Sequence, residues 1–182
     1  MSQHYLHPLF MPRSVVVFGA SEKESSVAGI LFSNLRKSGF TGKVYPINPK
    51  HEQLYGERCY ASADDLPETP ELALIATPAP TIPGILDACG ARGIRHAVVL
   101  SAGFREIGAA GVALEEAVQA AAKRNDIRFI GPNCLGVQRP GIGFNGTFSQ
   151  GATLTGDLAL VSQSGALRSE EHTSELQSLA YL

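Results

Sequence analysis

Short apolar runs alternate with longer amphipathic stretches along this chain, as strands alternate with helices in α/β proteins. Five runs lack the polar residue at every second position that a half-exposed strand shows, so they indicate strands buried on both faces. These five runs cover residues 14–18, 43–48, 72–76, 97–100 and 127–130. Pro46 lies in the second run, and because proline cannot donate a backbone hydrogen bond, we expect this strand to have an irregular or edge-like end.

Three stretches between these runs have the spacing of helices. They cover residues 27–38, 82–91 and 111–125. Gly39 follows the first as a stop, and Pro83 lies in the first turn of the second, where a helix tolerates it. Strands separated by helices form right-handed βαβ units, so the predicted fold class is α/β, a Rossmann-like doubly wound parallel sheet. Ligands bind such sheets at the carboxyl ends of the strands.

A sixth apolar run, residues 157–161, follows a glycine-rich connection and predicts the start of a second sheet. After it come two hydroxyl residues and a glycine, which can cradle an anion where they open a helix. This segment is Ser162, Gln163, Ser164 and Gly165. We therefore expect residues 9–150 to form the Rossmann-like domain and residues 151–167 to be the truncated start of a second α/β domain.

The last fifteen residues, 168–182, contain no glycine, no proline and no strand-like run. Their order resembles the in-frame translation of a widely used DNA-sequencing adapter. We expect them to be non-native read-through, which carries no information about the fold. The alternative is an ordinary polar C-terminal helix. Without this tail the chain's 15 Lys and Arg and 17 Asp and Glu become 14 of each, and the formal net charge changes from −2 to zero.

The balanced charge argues against a nucleic-acid partner or an anionic membrane surface, because both attract a basic stripe. No apolar run approaches the roughly 18 residues that span a bilayer, and the first residues lack the basic and apolar segments of a secretory signal. The three cysteines and five histidines are scattered, which argues against a disulfide framework and a zinc site. The composition predicts a cytoplasmic protein without a bound metal.

The loop after the first strand has the composition of an anion site. Gly19 permits a tight turn, Ala20 and Ser21 follow it, and the next helix offers free backbone N–H groups to a phosphate. Ser21, Ser25 and Ser26 could each donate a hydroxyl hydrogen to the same anion. The full G-x-G-x-x-G fingerprint is absent, and the alternative is helix capping without a ligand.

The loop after the second strand distinguishes between cofactors. An NAD-binding domain places Asp or Glu there to accept hydrogen bonds from the ribose diol. This chain has Lys50 instead, which favours a phosphorylated ribose, either the 3′-phosphate of coenzyme A or the 2′-phosphate of NADP. Glu52 is close enough in sequence to keep plain NAD open, and Lys50 could also be a solvated surface charge.

Small residues and prolines follow the remaining strands and would let an extended ligand approach the backbone. They are Pro78 and Ala79 after the third strand, Ser101, Ala102 and Gly103 after the fourth, and Asn133 and Cys134 after the fifth. The loop after the fourth strand could approach a pyrophosphate or a pantetheine arm. Cys134 could place a thiol beside a thioester or, like most cysteines next to a buried strand, pack without reacting.

Six motifs at strand ends follow one another along the chain. They are SVVVFGAS (14–21), VYPINPK (44–50), IATPA (75–79), SAGF (101–104), GPNCLG (131–136) and SQSGAL (162–167). Each is weak alone. Together, over residues 9–167, they resemble the CoA-binding domain of NDP-forming acyl-CoA synthetases, which are relatives of the alpha subunit of succinyl-CoA synthetase.

The resemblance implies that coenzyme A lies along these loops. The implied contacts are Gly19, Ala20, Ser21, Ser25 and Ser26 for the phosphates, Lys50 for the ADP portion, Pro78, Ala79, Ser101, Ala102 and Gly103 for the path of CoA, and Asn133 and Cys134 near its thiol. The segment from Ser162 to Gly165 would open a succinyl-CoA-ligase-like domain of flavodoxin type. It would help to bind a phosphohistidine there.

The resemblance also implies the reaction of a larger protein, in which acyl-CoA, ADP and phosphate give acid, CoA and ATP, and the reverse. The implied partners are CoA, acyl-CoA and downstream ligase and ATP-grasp domains, or a subunit that carries them, and an oligomer is compatible with this. ADP, ATP and Mg²⁺ would bind only in those domains. None of the five histidines here takes the phosphohistidine role, so the fragment alone is expected to be inactive.

Other interpretations stay open at this point. Related proteins fuse the same modules to a GNAT protein acetyltransferase, and the segments that would discriminate the two groups are missing here. An NADP-binding Rossmann domain of an oxidoreductase also fits Lys50. A ligand-free sheet domain that serves assembly is the plainest alternative.

Overall fold

A computed structural model describes residues 4–151, 154–157 and 159–161 of the 182-residue chain. The helices and strands, in chain order, are α1 (His7–Phe10), β1 (Ser14–Phe18), α2 (Val27–Lys37), β2 (Lys43–Ile47), β3 (Gln53–Leu54), β4 (Glu57–Arg58), β5 (Leu72–Ile75), α3 (Ile82–Ala91), β6 (His96–Val99), α4 (Ala109–Arg124), β7 (Arg128–Ile130), β8 (Gly136–Arg139) and β9 (Phe144–Thr147). Among these described residues, no helix is long and apolar enough to cross a membrane.

Five of the strands form a parallel sheet in the order β2-β1-β5-β6-β7. These strands and the helices α2, α3 and α4 confirm the predicted elements, with bounds that differ by one or two residues. The strand that holds Pro46, β2, lies at an edge of the sheet, which is compatible with the edge-like end expected from its proline. The chain runs outward from β1 to β2 and then returns to the other side of β1 for β5. This reversal makes the carboxyl ends of β1 and β5 the expected ligand site of a doubly wound sheet.

Each face of the sheet is covered by its own apolar layer, which confirms the doubly wound architecture. All five residues of β1 are buried, and successive side chains contribute to opposite layers. The layer that includes α3 and α4 contains Val16, Ala73, Val99, Leu86 and Val118. The layer that includes α2 contains Val17, Leu74, Val98, Phe32 and Phe144. The buried area on both faces fixes the register of the strands and therefore the positions of the loops that follow them.

The antiparallel hairpin of β8 and β9 was not predicted from the sequence, which indicated only a glycine-rich connection there. Phe144 of this hairpin is fully buried in the α2 layer, with its ring 5.3 Å from that of Phe40. Asn34 of α2 donates its side-chain amide to the carbonyls of Thr147 and Ser149, at 2.9 and 3.0 Å. The hairpin therefore completes the cover of the sheet next to α2.

The sixth apolar run is not a strand in the part of it that the structure describes. Asp157 and residues 159–161 have no regular secondary structure, and Val161 is 94% exposed. No described strand runs beside them to pair with their backbone groups, so the apolar pattern alone does not make a strand. The predicted second domain, residues 151–167, stays a prediction. The segment from Ser162 to Gly165 and the tail 168–182 lie outside the described residues.

We expect Leu74→Ala to lower the free energy of unfolding by about 2–5 kcal/mol, because it leaves a cavity at a fully buried position of β5. Leu154→Ala is the matched control. The same side chain is 89% exposed there, so the change should stay within about 0.5 kcal/mol. Urea unfolding followed by circular dichroism measures both variants. Equal losses in the two would contradict the assignment of the core.

Candidate ligand-binding site

The loops at the carboxyl ends of the five parallel strands form one continuous edge, which we call the rim. The rim comprises residues 19–21, 48–50, 77–79, 101–103 and 131–134. Every parallel strand contributes one of these segments, and neighbouring strands lie about 4.8 Å apart. The sheet therefore brings together predicted site residues that are more than a hundred positions apart in sequence.

Gly19 lies where the rim segments of β1 and β5 approach each other. Its φ is +84°, and a Cβ atom there would lie 2.8 Å from the Ala76 carbonyl oxygen and 3.0 Å from Cγ2 of Thr77. Its N–H donates to the Ile47 carbonyl of β2 at 2.9 Å. Only glycine combines this backbone conformation with so close an approach. The predicted tight turn is present, and the close approach of the loop after β5 is part of the reason that glycine is required there.

The three serines of the first loop differ in what their hydroxyls do. Ser26 caps α2: its Oγ accepts from the Gly29 N–H at 3.0 Å and donates to the Lys23 carbonyl at 2.8 Å. Ser21 Oγ accepts from the Lys23 N–H at 3.0 Å and keeps its own hydrogen for a ligand. Ser25 is exposed. For Ser26 the capping alternative therefore holds, whereas Ser21 and Ser25 can still donate to an anion.

Asn48 joins the first loop to the second, a role that sequence reasoning missed. Its side-chain amide donates to the Ala20 carbonyl at 2.9 Å, and its Oδ1 accepts from the Lys50 N–H at 3.0 Å. This second bond is the turn that Asn forms with the backbone two residues on. Lys50 is exposed and forms no ion pair with any residue that the structure describes. The rim thus presents an ammonium group beside the first loop.

Hydrogen bonds also connect the loops after β5, β6 and β7. Ser101 Oγ donates to the Thr77 carbonyl at 2.6 Å, and the Asn133 N–H donates to the Ser101 carbonyl at 2.9 Å. Gly103 has a φ of +107°, and a Cβ atom there would lie 3.2 Å from the Cβ of Ala79. The predicted contact residues Pro78, Ala102 and Asn133 are exposed, while the side chain of Ala79 is buried in the core.

The thiol of Cys134 faces the sheet. Its Sγ lies 3.3 Å from the Val99 carbonyl, to which it donates. Burial raises the pKa of this thiol to about 11, so it is protonated at neutral pH. The geometry agrees with the packed, unreactive alternative for Cys134. In the part of the chain that the structure describes, no group of three or more His, Cys, Asp or Glu side chains could hold a metal ion.

Glu106 is the second residue whose role sequence reasoning did not find. Its carboxylate accepts from the Gly103 N–H at 2.6 Å. Hydrogen bonds from the backbone of Gly103, of Glu106 itself and of Phe104 lower the pKa of this carboxyl below its ordinary value. The spacing of three residues between Gly103 and Glu106 was a usable signal, because acidic side chains often accept from backbone N–H groups nearby.

Comparison with known proteins shows which family the chain belongs to. Residues 13–140 match the model of the CoA-binding domain. The ADP-forming acetate–CoA ligases of Methanocaldococcus jannaschii and Archaeoglobus fulgidus are 41% and 42% identical to this chain, over 156 and 158 residues. These matches cover 86% and 87% of the chain but only 22% and 23% of the ligases. The chain belongs to the CoA-binding domain family and matches the N-terminal part of ADP-forming acyl-CoA synthetases.

A solved structure supports the same conclusion. The acetyl-coenzyme A synthetase 1 of Ca. Korarchaeum cryptofilum, in complex with phosphate and ADP, superimposes with a TM-score of 0.84 at 39% identity. The match covers 89% of this chain and 34% of that chain. The resemblance inferred from the strand-end motifs is thereby confirmed, and this chain spans about a quarter to a third of the relatives it matches.

We expect Gly19→Ala to destabilise the fold more than Gly39→Ala. Both glycines have a φ near +80°, but a Cβ at Gly39 meets nothing within 4 Å. Gly39→Ala should therefore show only backbone strain of about 1–2 kcal/mol. Gly19→Ala adds a clash with the Ala76 carbonyl, worth about 1–3 kcal/mol more. Urea unfolding measures both, and equal losses would show that the close approach of the loops is not a constraint.

We expect all three cysteines to react slowly with a thiol reagent at pH 8. Burial raises the pKa of Cys134 to about 11 and that of Cys89 to about 12, and it also raises the pKa of Cys59. A thiol with a pKa near 11 is only about one part in a thousand thiolate at pH 8. The urea-unfolded chain is the control, in which all three should react. Labelling of folded Cys134 at the unfolded rate would contradict its packed position.

Proposed function

We propose that this chain is the CoA-binding portion of an NDP-forming acyl-CoA synthetase, which converts acyl-CoA, ADP and phosphate to acid, CoA and ATP. The observation that carries the proposal is the rim. Four of its loops are linked in pairs by side-chain hydrogen bonds, Asn48 to Ala20 and Ser101 to Thr77. The fifth loop, after β7, is linked to the loop after β6 by the Asn133 N–H, which donates to the Ser101 carbonyl. Such an edge suits one long ligand better than several small ones.

The direction of CoA along the rim follows from charge. The pyrophosphate suits the first loop, where Ser21, Ser25 and the backbone at the start of α2 offer donors near Gly19 and Ala20. Lys50, in the neighbouring second loop, suits the 3′-phosphate of the ADP portion. A ribose carrying that phosphate needs a cation where an NAD site has a carboxylate.

The rest of CoA would extend across β5, β6 and β7. Its path would pass the loops that hold Pro78, Ala79, Ser101, Ala102 and Gly103, and its thiol end would come near Asn133 and Cys134. Because burial keeps the Cys134 thiol protonated, the thiol that takes part in the chemistry is that of CoA. The role of this domain is therefore to bind and orient CoA rather than to form or break bonds.

The chemical steps belong to other domains in this proposal. We assign the phosphohistidine and the binding of ADP, ATP and Mg²⁺ to ligase and ATP-grasp domains, in the same chain or in a separate subunit. The size of the relatives supports this, because the matched region covers 22–36% of their length. The segment from Ser162 to Gly165 would belong to the first of these domains. Alone, the 182-residue chain would bind CoA without turnover.

The proposal has two forms that differ in the parent protein. In one, the parent is the synthetase itself; in the other, the same modules are fused to a GNAT acetyltransferase. Both place the protein in the cytoplasm, where reduced cysteines are the rule, and both are compatible with an oligomer. The names of the relatives, which are ADP-forming ligases, favour the first form.

Isothermal titration of the 182-residue chain with CoA, dephospho-CoA and NADPH tests this function. We expect CoA to bind more tightly than dephospho-CoA, and NADPH to bind weakly or not at all. Binding of NADPH alone would contradict the proposal and favour an oxidoreductase domain. Binding of none of the three would favour a sheet domain that serves assembly.

Lys50→Glu should raise the Kd for CoA by about tenfold, because it replaces attraction to the 3′-phosphate with repulsion. It should leave the Kd for dephospho-CoA nearly unchanged. Lys123→Glu is the matched control, since it makes the same charge change at an exposed position near the end of α4, away from the rim. An equal effect of Lys50→Glu on both ligands would show that Lys50 does not contact the 3′-phosphate.

A further inference from the structure

The carboxylate of Glu106 accepts a backbone hydrogen bond within the loop that follows β6. Its Oε1 lies 2.6 Å from the Gly103 nitrogen, which donates to it. A hydrogen bond to an acidic side chain of the same loop thus holds the loop together. The same loop carries Ala102 and Gly103, which the proposed function places along the path of CoA.

The segments on both sides of this closed turn are held by other contacts. Before it, Ser101 Oγ donates to the Thr77 carbonyl at 2.6 Å. After it, the side chain of Phe104 is 1% exposed in the core, and Arg105 donates to both carboxylate oxygens of Glu115, at 2.7–3.1 Å. Between these anchors, the chain of Ala102 and Gly103 lies at the surface. Glu106 is the side chain that restrains it.

Glycine makes this restraint necessary. Gly103 has a φ of +107° and lies against Ala79, with 3.2 Å between the Ala79 Cβ and the place where a Cβ would be. A glycine reaches this conformation without strain but also leaves it easily, because it populates many others. A hydrogen bond from its N–H to a carboxylate selects one of these conformations before any ligand arrives.

We propose that Glu106 is a positioning residue for CoA, which holds Ala102 and Gly103 in the conformation that the bound pantetheine arm requires. This inference rests on the proposed function of the rim. A segment that is already ordered loses less conformational entropy when the ligand binds, so affinity rises without a contact between Glu106 and CoA. The Gly103 N–H that donates to the carboxylate compensates part of its charge toward an anionic ligand.

A role for Glu106 as a competitor of CoA predicts the opposite change in the Kd for CoA. If the Glu106 carboxylate competed with a CoA oxygen for the Gly103 N–H, its removal would free the donor and strengthen binding. Removal of a positioning group weakens binding. Substitution of Glu106 therefore separates the two roles by the direction of the change in Kd.

The test compares Glu106→Ala and Glu106→Gln in the 182-residue chain by titration with CoA. We expect the Kd to rise about fivefold in Glu106→Ala, the order expected when a prearranged segment becomes mobile. Glu106→Gln keeps one acceptor oxygen and should fall between wild type and Glu106→Ala. Glu116→Ala, which removes the same charge from an exposed position of α4, is the control and should stay within about twofold.

Amide hydrogen exchange and pH show whether Glu106 orders the loop before CoA binds, and the change in Kd at an unchanged unfolding midpoint shows whether that order serves binding. In the ligand-free chain, the Gly103 and Phe104 amides should exchange faster in Glu106→Ala, while the amides of β6 stay protected. Because the pKa of Glu106 is lowered, protection of these two amides should persist in wild type at pH 5 and decrease only as pH falls through that lowered pKa. In Glu106→Gln this acid-dependent loss should be absent.

The outcomes separate this inference from the proposed function. Wild type that binds CoA, with Glu106→Ala binding it equally or more tightly, would overturn the positioning role and leave the function of the rim intact. Wild type that binds no CoA would overturn both. Weaker CoA binding together with faster exchange at Gly103, at an unchanged unfolding midpoint, supports the positioning role.

Discussion

The backbones of two loops meet at the point where the chain reverses its direction across the sheet, and this close approach constrains the rest of the rim. The exit of β1 at Gly19 lies against the exit of β5 at Ala76, with no space for a side chain between them. Because these strands are neighbours in register, the first loop and the third must share one edge. The turn after β1 and the loop before α3 are therefore two parts of one surface.

The contact between Gly19 and Ala76 holds the loops in place because the sheet below it is rigid. β1 is buried on both faces, paired with β2 along its whole length and with β5 from Val15 to Phe18, so its exit cannot shift without disturbing both apolar layers. Side-chain hydrogen bonds then fix the neighbouring loops. Asn48 binds the Ala20 carbonyl on one side of the contact, and Ser101 binds the Thr77 carbonyl on the other. The buried strands determine where the loops lie, so a surface of small residues can still have a defined geometry.

The sequence predicts the parts of this molecule that depend on local pattern. Apolar runs identify the five strands, and Gly19 identifies the tight turn after β1, because both signals lie within a few neighbouring residues. The β8–β9 hairpin escapes prediction because all four residues of β9 are buried although three of them, Asn145, Gly146 and Thr147, do not form an apolar run. Asn48 escapes because its partner, the Ala20 carbonyl, is 28 residues away and comes near only once the sheet is folded, whereas Glu106 left a local signal in its spacing of three residues from Gly103.

The burial of the Cys134 thiol has a consequence for chemical selectivity. A thioester transfers its acyl group to any thiolate that reaches the carbonyl carbon, so a reactive cysteine on a rim that holds acyl-CoA would acylate itself. The Sγ of Cys134 donates to the Val99 carbonyl and stays protonated, which withdraws the nearest competing nucleophile from the thioester end of the proposed path. Under the proposed function, the domain could then hold acyl-CoA without being acylated itself.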